Sequence, residues 1–155
     1  MTPELRDRPA FLVMGIQVRL DDPMTADYSA IWGQQFGPRA AEIAPHSSEE
    51  AAFGVYFPAE KEGADDFVAG MAVSGVVAPP AGLVLREVPA AREAVFQSNL
   101  SDLGATWQHI FTEWLPNSGY EHVQGGPPFE RFPPGCHEGT APVTIHVPVR
   151  KRDAS

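Results

Sequence analysis

The chain contains one cysteine, Cys136, so it can form no internal disulfide, and a reducing compartment is expected. No stretch approaches the roughly 18 apolar residues of a membrane-spanning helix. The opening MTPELRDRP has no apolar signal core, so a cytoplasmic, soluble protein with no membrane partner is expected. Basic residues are scarce: 11 Lys and Arg against 20 Asp and Glu give a net charge of −9. A surface of that sign repels phosphate polyanions, so no direct nucleic-acid contact is expected. It favours small organic cations in sign.

Several motifs are also missing. No Gly-rich loop joins a strand to a helix, so neither a nucleotide nor another cofactor is expected. G-x-S-x-G and H-E-x-x-H are absent. The histidines His46, His109, His122, His137 and His146 show no metal-ligand spacing. In Cys136-His137-Glu138, neighbouring side chains on an extended chain point apart, so no metal is expected.

What is present is enough apolar residue, 43% of 155, for a sizeable core, read as a single domain over 1–155. Sixteen prolines and fourteen glycines imply short elements and many turns. FLVMGIQVR (11–19) reads as a strand. Tyr28, Ile31, Trp32 and Phe36 then fall at helical spacing, with Thr25 or Asp27 as cap and Gly37-Pro38 as the end or bend. AFGVYF (52–57) and DFVAGMAV (66–73) read as strands, and 76–82 as a rigid connector. Ser47-Ser48-Glu49-Glu50 matches a capping box, but a β-like run follows it, so it reads as a loop.

LVLREV (83–88) and EAVFQ (93–97) read as strands about a Pro-Ala-Ala turn. Ser101 would cap a second helix bearing Leu103, Trp107, Ile110, Phe111 and Trp114, stopped by Pro116 and the turn at 117–119. FERF (129–132) and VTIHVPV (143–149) close the chain as strands. The halves match. Trp32/Phe36 and Trp107/Phe111 lie 75 positions apart, and AFGVYF and FVAGMAV align with PFERF and VTIHVPV at an offset of 76. The expected fold class is α+β: two pseudo-symmetric β-α-β-β repeats, about 1–77 and 82–150, sharing an antiparallel sheet with helices.

PPFERF (127–132) breaks ordinary strand alternation. Glu130 and Phe132 share one face, Phe129 and Arg131 the other, so each face carries one charge and one ring. Glu130 is either a solvated edge carboxylate, a partner to Arg131 or Arg150, or a carboxylate held in an aromatic cleft awaiting a cation. Trp32, Trp107 and Trp114 on helix faces read first as core.

The run EWLPNSGYE…PFERF…VTIHVPV, with Met14-Gly15, Ile31-Trp32, Gly54-Val55-Tyr56 and Ala69-Gly70-Met71 before it, resembles GyrI-like proteins. These are the stand-alone form of the effector-binding domain of AraC-type and MerR-type regulators. The resemblance covers almost the whole chain. It implies a central ligand cleft between the halves, with Glu130 at its floor, meeting lipophilic, often cationic ligands. Phe132 would face the cleft, Phe129 the helix layer, and Arg131 the rim. By matching positions, Tyr56, Trp107 and His146, then Trp32, Met71, Phe111 and Phe132, would line it. An aromatic such as tyrosine is usual where His146 stands. Beside Glu130, His146 would change the site's charge near neutral pH.

Three functions follow. The first is binding of lipophilic aromatic molecules, for sequestration or sensing. The second is hydrolysis of strained cyclopropane rings in DNA-alkylating natural products, with Glu130 activating water and Tyr56 or His146 donating a proton. The third is contact with a protein partner such as gyrase, which predicts no dependence on Glu130.

Overall fold

The computed structural model describes residues 2–153. Nine strands form an antiparallel sheet: β1 (Glu4–Arg8), β2 (Phe11–Leu20), β3 (Ala52–Pro58), β4 (Asp65–Val73), β5 (Val84–Val88), β6 (Ala91–Ser98), β7 (Tyr120–His122), β8 (Phe129–Phe132) and β9 (Val143–Lys151). The order is β1-β6-β9-β8-β3-β4-β2-β5, and β7 pairs with the C-terminal end of β9. The mixed α+β class expected from the sequence is what the chain adopts.

The repeat is visible in the strand order. β3 and β8 are the innermost strands, flanked by β4 then β2 on one side and β9 then β6 on the other. A pseudo-twofold axis therefore runs between β3 and β8. Their register pairs Gly54 with Glu130 and Ala52 with Phe132.

Each repeat begins with a strand that pairs in the other repeat; β1 was not expected from the sequence, whereas 83–88 was expected as a strand of the second half but beside 93–97. β1 leads into β2 through Pro9-Ala10 but pairs with β6. β5 leads into β6 through Pro89-Ala90 but pairs with β2. The 83–97 segment therefore does not fold back on itself about its Pro-Ala-Ala turn. On a flat sheet the six spacings from β1 to β2 would be about 29 Å. The three peptide steps from Arg8 to Phe11 reach no more than about 11 Å. The sheet must curl until its two edges approach.

Curling divides the core into two sides. Inside lie Phe53, Val55, Phe129, Val13, Val68 and Val88, packed with Phe11 and with no helical residue. Outside, the two helical stretches cover the other face. The first packs Ile31, Tyr28 and Trp32 on Phe67 and Ala69. The second packs Ile110 and Leu115 on Phe96, Ile145 and Val147.

The first stretch, residues 28–46, starts at Tyr28–Ala30, where Asp27 Oδ1 accepts from the Ala30 N–H at 3.1 Å. It widens into a π-helix over Ile31–Phe36, tightens to a 3-10 turn at Gly37–Arg39 and continues to His46, so Gly37-Pro38 does not end it. The second runs through Leu103–His109, a π-helix at Ile110–Trp114, and Leu115–Ser118. Ser101 does not cap it. Asp102 holds that position, and Ser101 Oγ donates to Asn99 Oδ1 instead. Pro116 does not stop it either. Pro116 falls in the turn just after the π segment, where its missing N–H is tolerated. Gly119, at φ +79°, ends the helix. Among the described residues no helix is long and apolar enough to cross a membrane.

Candidate functional site

β8 is short and sits between β3 and β9, so both of its edges are paired, and Phe129 and Glu130, on opposite faces, are both buried. Glu130 projects to the helix side and is 4% exposed. It meets two neutral donors: Trp107 Nε1–H donates to Oε2 at 2.7 Å, and the Tyr56 hydroxyl donates to Oε1 at 3.3 Å. Neither donor brings a positive charge. Burial pushes the Glu130 carboxyl up to about 7, against the pull of the Trp107 and Tyr56 hydrogen bonds. Burial, and then the nearby Glu130 charge, raise the Tyr56 phenol, so it stays protonated.

Rings surround the carboxylate. Tyr56 lies 4.8 Å from Phe67 and 5.4 Å from Trp107, ring centre to ring centre. Trp107 stacks on Phe111 at 6.1 Å, and Phe111 is 40% exposed. Across the axis, Trp32 meets Phe132 edge-on at 5.5 Å and Phe67 at 6.2 Å. Tyr56, Trp107, Phe111, Trp32, Phe132 and Glu130 thus gather on one side of the sheet. Met71 shares that side but packs with Met14, Ile43 and Phe36 under the first helix.

His146 does not join them. It is the register partner of Phe129, so it points to the inside of the curl, away from Glu130. There it stacks on Phe129 at 4.3 Å, and its Nδ1 lies 3.0 Å from Glu93 Oε1. Burial holds the imidazole below its ordinary value, against Glu93. Phe129 likewise faces the helix-free interior and not the helix layer. Arg131 is half-buried and paired with Glu49, and Arg150 is paired with Glu121. Neither reaches Glu130. Cys136 is buried and His137 exposed, and among the described residues no three metal-binding side chains converge.

Glu93 is fully buried, which works to raise its carboxyl. His146 and Arg8 outweigh that and hold it below the usual range. Arg8 and Arg6 of β1 donate to it at 2.8 and 3.2 Å, so this cluster fastens the first strand.

Residues 1–150 match the sequence model of the GyrI-like small molecule binding domain. The chain belongs to that family. It is 27% identical over 154 residues to the transcriptional regulator BrlR of Pseudomonas aeruginosa, covering 96% of this chain and 56% of BrlR. The chain thus spans about half the length of that curated relative. SAV2435, solved with tetraphenylphosphonium, superposes with a TM-score of 0.80 at 14% identity, covering 97% of this chain and 94% of that one. The C-terminal domain of EcmrR superposes at 0.65 and 16% identity, covering 97% and 98%. In the EcmrR–DNA complex the match covers 97% of this chain and 58% of EcmrR.

Two members of the aromatic ring in this GyrI-like domain escaped sequence reading. Tyr28 lies 5.4 Å from Phe67, and Phe67 lies 4.8 Å from Tyr56. Helical spacing placed Tyr28 on the Trp32 face, which was the signal available. Phe67 read only as strand core, because nothing local marks which side of β4 it takes.

Proposed function

We propose that this domain binds lipophilic aromatic cations, with Glu130 as the counter-charge and Trp107, Tyr56, Trp32, Phe132 and Phe111 as the surrounding rings. The observation that supports it is a buried carboxylate whose hydrogen-bond partners are neutral. Such a group costs free energy when ionised, and an entering cation removes that cost. Each ring face adds cation–π attraction of about 0.5–2 kcal/mol. The tetraphenylphosphonium bound to SAV2435 is a ligand of this class. Among the relatives, contact with DNA occurs in longer proteins, so the domain's part in such a system is ligand sensing. In isolation it sequesters the ligand.

Tetraphenylphosphonium titrated into the protein should quench or shift tryptophan fluorescence, and Glu130→Gln should weaken binding by about 1–3 kcal/mol, the range for a hydrogen bond to a charged group. Unchanged binding by the variant would remove Glu130 from the site.

A second reading rests on the Glu130 carboxyl lying near neutrality beside the Tyr56 hydroxyl. Glu130 would take a proton from water attacking a strained cyclopropane, and Tyr56 would donate to the developing oxyanion. His146 has no part in this, being on the other face. Mass spectrometry of the recovered ligand separates the readings: a binder returns it unchanged, and a hydrolase returns it with one water added.

A further inference from the structure

The pseudo-twofold axis offers two equivalent positions at the centre of the site, and the chain fills them unequally. Residue 54 plus the repeat offset of 76 is residue 130, and the β3–β8 register pairs the same two residues. One is glutamate and the other glycine. Gly54 is buried and has no room to spare. A β-carbon there would lie 2.9 Å from Phe67 Cζ and 3.1 Å from Glu130 Oε1.

The two tryptophans follow the same asymmetry. Trp107 donates its N–H to Glu130. Its repeat mate Trp32 faces the Gly54 half and packs on the rings of Phe132, Phe67 and Phe36. The site therefore has a charged half under Trp107 and Tyr56 and an uncharged aromatic half under Trp32 and Phe132.

We propose that Gly54 is a specificity-determining residue: it restricts the site to monocations whose single charge lies at one side of an uncharged aromatic body. This rests on the cation-binding reading above. A ligand with two nearby charges would press the second against the rings of the Trp32–Phe132 half, where water is displaced. Gly54 also leaves Glu130 Oε1 the space it occupies beside Phe67. A methyl at position 54 would crowd both Oε1 and the Phe67 ring.

The test uses two probes on the wild-type protein and on Gly54→Ala. The probes are tetraphenylphosphonium and a bis-triphenylphosphonium dication with a short alkyl link. The wild type should bind the monocation at least tenfold more tightly than the dication. Gly54→Ala should lose at least tenfold in monocation affinity while its circular-dichroism spectrum stays native. Equal affinity of the wild type for the two probes overturns the proposal even if the variant fails to fold, and leaves the cation-binding reading standing. Undiminished monocation binding by a folded Gly54→Ala does the same. If neither probe binds the wild type, the cation-binding reading fails, and this inference with it.

Discussion

Trp107 Nε1 and Glu130 Oε2 are 2.7 Å apart, a hydrogen bond that ties the second helix to β8, one of the two innermost strands of the sheet. It is the shorter of the two bonds that steady the buried carboxylate. Trp107→Phe keeps a ring but removes the donor. The expected loss above pH 7, where Glu130 is ionised, is about 1.5–3 kcal/mol of stability. Tyr56→Phe, removing a bond of 3.3 Å, should cost less. Urea unfolding of both variants at pH 8 measures the difference.

Glu130 makes stability fall with rising pH. It titrates near 7 in the folded protein and near 4.5 when unfolded. Between those values the folded chain keeps a proton that the unfolded chain has released. Stability therefore declines across that window, by about 3 kcal/mol, and levels off above it. Glu130→Gln should abolish the decline and be the more stable protein at pH 8. Thermal melts from pH 4.5 to 8 test this.

Cation binding should expel the same proton. Tetraphenylphosphonium affinity is then expected to rise about tenfold from pH 6 to pH 8, following ionisation of a group near 7. Calorimetry in two buffers of different ionisation enthalpy should show proton release at pH 6 and little at pH 8. Release that does not vary with pH would point to a group other than Glu130.

The inner cluster has the opposite sign. His146 is held below its ordinary 6.5, so its contribution is complete above that value and is lost as pH falls and the imidazole gains a proton. Glu93, also held low, contributes above its ordinary 4.5, and that contribution is lost at lower pH. In Glu130→Gln the acid side of this profile should stand alone. Glu93→Gln leaves Arg8 buried without its carboxylate, with an expected cost of about 3–5 kcal/mol. Hydrogen exchange should then show residues 4–8 losing protection first.

Gly15 and Gly70 face each other across β2 and β4. A β-carbon at either would lie 2.1 or 2.2 Å from a backbone carbonyl oxygen of the other strand. Alanine at either site should cost about 3 kcal/mol or more, because backbone cannot step aside as a side chain does. Gly104 has open space in the second helix, and Gly104→Ala should instead stabilise by about 0.5–1 kcal/mol. Chemical denaturation of the three variants should rank them so.

Seven strands were legible as apolar or alternating runs, and both helices as periodic tryptophan and phenylalanine faces. β1 was not, because its inward side chains include Arg6 and Arg8, whose partner Glu93 lies 87 and 85 positions away. Local sequence reads such a strand as a solvated tail. Of the candidate site, Glu130 stood out through its broken alternation, and Tyr56 and Trp107, which the structure brings beside it, followed from matching positions. His146 failed for the same parity that placed Glu130. On paired strands, Glu130 faces with Ile145, so the next residue, His146, must face with Phe129. Register is a nonlocal fact, and a shift of one residue reverses the side.

The crossing of β1 and β5 bears on how this chain came to be indivisible. Each half lends its leading strand to the other's edge, so a cut at residues 76–82 would produce two fragments, each missing a border and each carrying a strand with nothing of its own to pair with. Neither fragment has a reason to be stable alone. Mixed together, they have complementary edges and should reassemble. Two halves that trade strands in this way depend on each other, and the central position where one half has a glutamate and the other a glycine exists only in the joined form.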